Sequence, residues 1–91
     1  MSTIQPGARP RLARGVRLHE DAVEGPLLLA PERVLKLNAS ARAILARCDG
    51  TRTFEEIVGE LRGVFSAPRE VIAADAGRVL DDLAGKRMVE L

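Results

Sequence analysis

Between residues 31 and 65 the pattern of hydrophobic positions changes from an extended segment to the stripe of a short helix. Asn38 stands just before this stripe, where its side-chain oxygen can accept a hydrogen bond from a free N–H group of the first turn. Asp49-Gly50 follows it, and glycine readily adopts the left-handed conformation that ends helices. The sequence therefore predicts a first helix between Asn38 and Asp49. Its apolar face consists of Ala41, Ile44, Leu45 and Cys48.

A second helix is predicted to start three residues after Gly50. Thr53 and Glu56 have the spacing of a capping box, in which each side chain accepts a hydrogen bond from the other residue's N–H. Two amphipathic helices joined by so short a turn form a helix-turn-helix in the geometric sense. The apolar stripe of this second helix consists of Phe54, Ile57, Val58, Leu61, Val64 and Phe65.

Three short strands are predicted before these helices, at residues 15–19, 27–29 and 34–37. Residues 20–25 form a polar turn between the first two strands, and Pro31 favours a tight reversal before the third. Together they form a small antiparallel sheet with exposed edges. In the third strand Leu35 and Leu37 should face the core, whereas Val34 and Lys36 should face outward.

A third helix is predicted to open at Pro68, because proline is tolerated in a first helical turn, and to end at Gly85. Val71 and Asp75 flank its stripe on one side and Leu80 on the other, and this extra width suggests a second surface. Residues 88–91 should form a packed tail or a final strand. The predicted stripe consists of Ile72, Ala76, Val79 and Leu83. The fold class is α+β and winged-helix-like, with the three-stranded sheet followed by three helices.

Composition fits a single small domain with an aliphatic core. The chain has 91 residues, and only 2% of them are aromatic, which removes the stacking platforms of single-stranded nucleic-acid binders. We expect residues 1–11 to be a flexible arm and residues 12–91 to be the domain. One cysteine leaves no internal disulfide or zinc cluster. No apolar run approaches the length of a membrane span or signal peptide, so we expect a cytoplasmic protein without a membrane partner.

Charge is distributed unevenly along the chain. Four arginines and no acidic residue precede Glu20, so the first nineteen residues carry +4, while ten basic and thirteen acidic residues in the remainder carry −3. Two interpretations of the basic end stay open. It is either a solvated tail or an arm that helps to hold an acidic partner.

Arrangements of residues that are typical of catalytic sites are nearly missing from the sequence. His19 is the sole histidine and lies beside a turn, which favours a surface role. Cys48 lies on the apolar helix face, where a free cysteine usually behaves as a small buried hydrophobe. The chain has no glycine-rich phosphate loop, metal-ligand spacing or dinucleotide fingerprint. We therefore expect a protein that is not an enzyme and that needs no cofactor or metal.

Two non-enzymatic functions are compatible with the pattern. In a winged-helix DNA-binding regulator the third helix would enter a major groove. However, the acidic residues of this helix offset its basic residues, so a phosphate backbone would repel it about as strongly as it attracts it. The helix carries Arg69, Glu70, Asp75, Arg78, Asp81, Asp82 and Lys86. In a peptide-binding protein the exposed sheet edge would pair with an incoming strand, and the wide third helix would line a groove beside it.

Four segments of the sequence resemble the PqqD family of pyrroloquinoline quinone biosynthesis. They are R-G-V-R-L-H-E-D, G-P-L-L-L-A-P-E-R-V-L-K-L-N, A-I-L-A-R-C-D-G-T-R-T-F-E-E-I-V and V-L-D-D-L-A-G-K-R-M-V, and the resemblance extends over residues 10–91. It implies a three-strand, three-helix fold that binds the precursor peptide PqqA and presents it to the radical SAM enzyme PqqE. Related domains take their leader peptide as an added strand between the third strand and the third helix.

The resemblance implies a peptide site on two elements. By position in this sequence, its residues are Val34, Leu35, Lys36 and Leu37 on the strand and Val71, Asp75, Arg78, Val79 and Asp82 on the third helix. Two further questions stay open. The same edge could instead pair with a second copy of the chain in a homodimer formed by strand or segment exchange. The acidic face of the second helix, with Glu55, Glu56 and Glu60, is either a surface for PqqE or simply solvated.

Overall fold

The structure of the chain is a computed structural model that describes residues 4–91. Two small antiparallel sheets pack with three helices, and this confirms the α+β fold with a small sheet and three helices. One sheet has the order β2-β3-β4, and the other pairs β1 with β5. The elements are β1 (Arg11–Leu12), β2 (Arg17–Asp21), β3 (Gly25–Ala30), β4 (Arg33–Lys36), α1 (Ala39–Leu45), α2 (Phe54–Leu61), α3 (Arg69–Gly85) and β5 (Val89–Glu90).

The three-stranded sheet turns one face toward the helices. Leu28 in its central strand is fully buried, and its partners across the sheet are Leu18 in β2 and Leu35 in β4. Leu35 and Leu37 are partly buried against the core, whereas Lys36 is exposed and Val34 is 62% exposed. The predicted alternation in this strand is confirmed.

The first predicted strand ends two residues later than expected. It continues to Asp21, whose carboxylate accepts hydrogen bonds of 2.8 Å from the N–H groups of Val23 and Glu24. These bonds close the hairpin turn on its own backbone. The polar turn is therefore confined to three residues, 22–24.

The first helix is shorter than predicted. Asn38 caps it as expected, with its side-chain oxygen 2.7 Å from the N–H of Ala41, but α1 ends at Leu45. Cys48 lies beyond the helix in a tighter turn, and it is still buried. Asp49-Gly50 therefore does not end the helix. Gly50 has a φ of 81° and lets the loop approach the N-terminal segment, because a Cβ atom here would lie 3.4 Å from that of Arg11.

The second helix begins as predicted and ends earlier. Thr53 and Glu56 form the capping box, with both reciprocal hydrogen bonds present. The helix ends at Leu61, so the last two residues of the predicted stripe lie in the following turn. Phe65 is half-buried there, and Val64 is 52% exposed.

The third helix is rotated relative to the predicted stripe. Leu80 is fully buried at its centre, and Val79 is only half-buried. Ala76 is also fully buried, and its small side chain allows this face of the helix to pack closely against the core. Val79 therefore lies at the border of the exposed face, on the same side as Val71 and Asp75.

The described part of the N-terminal segment contacts the rest of the chain, and the flexible arm expected for residues 1–11 stays a prediction. The carbonyl groups of Pro6 and Ala8 accept hydrogen bonds from the N–H groups of Glu55 and Phe54, at the start of α2. The first N–H groups of a helix have no partner within the helix, so these bonds satisfy them. Pro10 is fully buried, and its carbonyl accepts from Gly50. Residues 1–3 of the predicted arm lie outside the described range, and the domain boundary stays a prediction.

The end of α3 contains a left-handed residue that is not glycine. Arg87 has a φ of 61°. Its N–H donates to the carbonyl of Ala84, and the N–H of Met88 donates to that of Leu83, which together form a Schellman motif. This motif ends the helix at Gly85 as predicted, and residues 89–90 then form the final strand. None of the described helices is long and apolar enough to cross a membrane.

The first prediction concerns this helix end. An L-residue in the left-handed conformation costs about 1 kcal/mol that glycine does not incur. Arg87→Gly should therefore raise the free energy of unfolding by about 1 kcal/mol, measured by urea denaturation. Lys86→Gly is the matched control, because Lys86 has a negative φ of −89° and glycine there should lower stability. An equal loss of stability in both variants would contradict the prediction.

The second prediction concerns pH and the loop after α1. Hydrogen bonds from the N–H and hydroxyl of Thr51 and the N–H of Arg52 lower the pKa of Asp49 from 3.8 to about 2. A lowered folded pKa contributes stability that is present above pH 4 and is lost as the pH falls toward 2. The stability difference between the wild type and Asp49→Asn should shrink over that interval. A difference that stays constant from pH 5 to pH 2 would contradict the assignment.

Candidate functional site

The free edge of β4 presents backbone groups that no described residue binds. The N–H of Leu37 donates to the carbonyl of Pro26 in a bond of 2.9 Å, and hydrogen bonding alternates along an antiparallel ladder. Leu35, two residues earlier, therefore also directs its backbone toward β3. The N–H and C=O groups of Val34 and Lys36 point the other way, toward the open edge. Four backbone hydrogen-bonding groups are thus available in a row.

The side chains of these two residues leave the edge accessible. Val34 is 62% exposed, and it is among the most exposed large hydrophobic side chains of the described residues. The Lys36 amine lies 3.4 Å from the Glu24 carboxylate, and both side chains are more than half exposed. Such a surface pair contributes little and can exchange for another carboxylate.

An apolar cleft opens just beyond the end of β4, with a volume of about 380 Å³. It lies between the start of α1, the turn after α2 and the first turns of α3. Its floor consists of core residues such as Ile44 and Leu61, and Ser40 and Asp75 are its polar lining residues on α1 and α3. We call it the apolar cleft. Its lining consists of Ser40, Ile44, Leu61, Val64, Phe65, Ser66, Ala67, Ile72 and Asp75.

A second cleft of about 340 Å³ lies at the other end of β4. We call it the basic cleft. It is bounded by the segment before β2, the turn between β3 and β4, and the end of α3. Its lining consists of Arg14, Val16, Ala30, Pro31, Glu32, Arg33, Lys86, Arg87 and Met88.

The two clefts lie near opposite ends of β4 and of one face of α3, and we call the surface between them the groove. Asp75 lines the apolar cleft and Lys86 the basic cleft, and their spacing of eleven residues places them on one helix face about 16 Å apart. Arg33, the first residue of β4, lines the basic cleft, and Ser40, just after β4, lines the apolar cleft. The strand and the helix face therefore run antiparallel between the same two clefts.

The helix residues predicted for the site lie on this face. Val71 is 49% exposed, and Asp75 and Arg78 form an exposed ion pair of 2.7 Å. Val79 is half-buried between them and the end of the helix, and Asp82 pairs with Lys86 at 2.7 Å. Both ion pairs lie along the helix surface, so the groove side of α3 is lined by paired charges around an apolar strip.

Sequence reasoning missed most of the apolar cleft. Ser40, Phe65 and Ala67 line it, but they come from three separate segments that only the packing of the helices brings together. The one available signal in the sequence was the place of Phe65 in the predicted apolar stripe of the second helix. Ser40 has no distinguishing pattern at all.

The charged residues of the helices do not favour the two other surfaces, which are a DNA-binding face on α3 and a PqqE-binding face on α2. Each basic residue of α3 is paired with a carboxylate, as in the Arg69–Glu55 contact of 3.9 Å, so the helix itself presents no unpaired basic side chain to a phosphate backbone. Carboxylates on the acidic face of α2 also have partners within the protein. Glu60 contacts Arg47 and Arg52, and Glu56 completes the capping box.

Cys48 is buried, as predicted for a small hydrophobe, and its Sγ donates to the carbonyl of Ile44 at 3.3 Å. Burial, with a smaller contribution from the Asp49 charge, raises the pKa of the thiol to about 12. The group is therefore protonated at neutral pH and unsuited to nucleophilic attack. His19 is exposed on β2. Residues 4–91 contain no group of three or more His, Cys, Asp or Glu side chains that could hold a metal.

Comparisons with known proteins agree with this fold. The chain is 44% identical over 82 residues, 89% of its length and 84% of the relative's, to a protein of Rhizobium meliloti named "PqqA binding protein". It superimposes with a TM-score of 0.84, at 38% identity and over 99% and 97% of the two chains, on the solution structure of the PqqD part of Methylobacterium extorquens PqqCD, described as a stand-alone RiPP recognition element.

A more distant likeness extends to the fold alone. The structure of lasso peptide synthetase B1 complexed with its leader peptide has a TM-score of 0.79, at 19% identity and over 92% of this chain and 100% of that one. The model of the family "Coenzyme PQQ synthesis protein D (PqqD)" matches residues 27–89, which include most of β3, all of β4 and all three helices. The chain belongs to the PqqD family.

Proposed function

We propose that this protein binds the precursor peptide PqqA as an added strand on β4, with peptide side chains in the groove between β4 and α3. The observation that carries the proposal is the unpaired edge at Val34 and Lys36 beside the apolar cleft. An extended peptide satisfies such an edge through its own backbone, and pockets beside the edge select alternate side chains. The name of the Rhizobium relative supports the choice of peptide.

The energetics of this mode are adequate for a transient complex. Four backbone hydrogen bonds contribute about 1 kcal/mol each, and three buried side chains contribute about 2 kcal/mol each. Immobilising the peptide offsets several kcal/mol of this gain. The resulting dissociation constant is on the order of micromolar.

A carrier of this kind would not catalyse a reaction itself. We propose that it presents bound PqqA to the radical SAM enzyme PqqE, and that both encounters take place in the cytoplasm, where a ribosomal peptide is made. The buried, protonated Cys48 and the exposed His19 are not arranged as a nucleophile and base. The groove holds side chains that can bind and orient a peptide.

A homodimer formed by strand or segment exchange is a second proposed use of the free β4 edge. In a strand-exchanged dimer β4 would pair with the other copy, and its outward N–H groups would no longer be free. The two states would therefore compete. PqqA should shift any such dimer toward a one-to-one complex in sedimentation experiments.

The third prediction tests strand addition. Lys36→Pro removes an N–H that points away from β3, so the ladder within the sheet should survive. The peptide would lose one hydrogen bond and leave a carbonyl unpaired, a cost of about 1 to 2 kcal/mol. Affinity for PqqA, measured by titration calorimetry, should fall by about 5- to 30-fold.

Lys36→Ala is the matched control for this experiment. It removes the same amine but retains the backbone donor, and it should bind PqqA almost as well as the wild type. Amide spectra by NMR establish that both variants keep the fold. Unchanged affinity in a folded Lys36→Pro variant would overturn the strand-addition proposal.

The fourth prediction tests the apolar cleft. Ser40 is exposed and lines the cleft, so Ser40→Phe should fill it without disturbing the core. We expect PqqA affinity to fall by about tenfold or more, because one buried peptide side chain contributes about 2 kcal/mol. Ala39→Phe is the matched control, since its neighbour Ala39 is exposed outside the cleft lining. Equal affinities of the two variants would exclude the cleft from the site.

A further inference from the structure

The basic cleft is formed by three chain segments that tertiary packing holds together. Gly15 has a φ of 82°, and a Cβ atom there would lie 3.3 Å from the Pro31 ring, so the segment before β2 lies directly against the turn between β3 and β4. The N–H of Ala13 donates to the carbonyl of Met88 at 2.9 Å, which attaches the same segment to the end of α3. These contacts place Arg14 in one cleft with Arg33 and Arg87.

Positive charge in this cleft is not neutralised. Arg14, Arg33 and Arg87 form no ion pair with any carboxylate of the described residues, although most other basic side chains do. Lys86 pairs with Asp82, and Glu32 is the one acidic residue of the lining. The net charge of the cleft lining is therefore positive, and the three guanidinium groups repel one another.

One of the arginines that line the basic cleft has a strained backbone conformation. Arg87 occupies the left-handed conformation at the closure of α3, a position where glycine is the usual residue. The chain thus carries a residue that destabilises its own backbone and adds a like charge to the cleft. Strained residues of this kind concentrate at binding sites, where the side chain has a use that the fold does not require.

The chemistry of the cleft indicates what it binds. Its lining combines the apolar residues Val16, Ala30 and the fully buried Met88 with three exposed arginines. Arginine forks bind carboxylates through paired hydrogen bonds. An acidic side chain that reaches the cleft along an apolar surface would satisfy both features.

We propose that the basic cleft binds the carboxylate of an Asp or Glu side chain of the same peptide that lies on β4. This inference rests on the function proposed above and adds a specificity determinant to it. The groove spans about 16 Å between Asp75 and Lys86, and an extended strand rises about 3.3 Å per residue. The acidic residue therefore lies about four or six residues from the apolar side chain that fills the apolar cleft, because side chains on one face of a strand are an even number of residues apart.

The order of the two anchors follows from strand direction. β4 runs from the basic cleft at Arg33 toward the apolar cleft, and every ladder of the described strands is antiparallel. An antiparallel peptide would enter at the apolar cleft and leave at the basic cleft. Its acidic residue is therefore C-terminal to its apolar anchor.

The test couples single changes in the peptide to single changes in the protein. PqqA peptides in which each Asp or Glu is replaced in turn by Asn or Gln are titrated against the full chain. One replacement should weaken binding to the wild type by about tenfold, and the same replacement should have little effect on Arg33→Gln. Arg14→Gln should respond in the same way. Arg9→Gln is the control, because Arg9 is exposed and lies outside the cleft lining.

A second variant separates binding from folding. Arg87→Gly is expected to be more stable than the wild type, and it should nevertheless bind PqqA about fivefold to tenfold more weakly. Misfolding cannot account for a stabler protein that has lost affinity. Unchanged or stronger PqqA binding by Arg87→Gly would overturn the assignment of Arg87 to the cleft site.

The outcomes distinguish this inference from the function on which it rests. Absence of PqqA binding by the wild type would overturn the proposed function itself. Binding that no acidic replacement weakens, or that weakens equally in wild type and Arg33→Gln, would overturn only the carboxylate site. Inorganic phosphate or duplex DNA that competes with PqqA at the arginines, with no coupling to a peptide carboxylate, would also overturn it and indicate a phosphate site instead.

Discussion

The buried contact between Leu28 and its cross-strand partner Leu35 fixes the register on which the rest of the site depends. Side chains alternate along a strand, so a slip by one residue would turn Val34 and Lys36 toward the core. Burial of a lysine without a partner is costly, and this cost makes the observed register the stable one. The same register decides which amides remain free, because Leu37 already donates to Pro26.

Stability and the proposed peptide binding favour the same residues at the apolar end of the groove and different residues at its basic end. At the apolar end, core residues such as Ile44 and Ile72 form both the interior and the floor of a cleft, so one set of side chains would serve both folding and the proposed peptide binding. At the basic end, Arg87 strains the helix closure, and its charge adds to that of Arg14 and Arg33. A residue chosen only for stability would be glycine at that position.

Much of the fold could be predicted from local patterns. The cap at Asn38, the capping box at Thr53 and the alternation at Leu35 each depend on residues close in sequence, and each is present in the structure. Predictions that depended on packing were less accurate. Leu80 lies in the core and Val79 does not, because the rotation of a helix about its own axis depends on the residues that it packs against.

Periodicity, capping chemistry and motifs in the sequence are sufficient to predict the three helices, the three-stranded sheet and the family to which the chain belongs, whereas the short strand β1 has no such pattern. Tertiary structure alone decided which segments meet. The carbonyls of Pro6 and Ala8 accept hydrogen bonds from the first N–H groups of α2, and Ser40 lines the same cleft as Asp75. The three unpaired arginines share a cleft although 73 positions separate the first from the last. No local pattern records such distances, because they arise only when burial of the common core brings distant segments together.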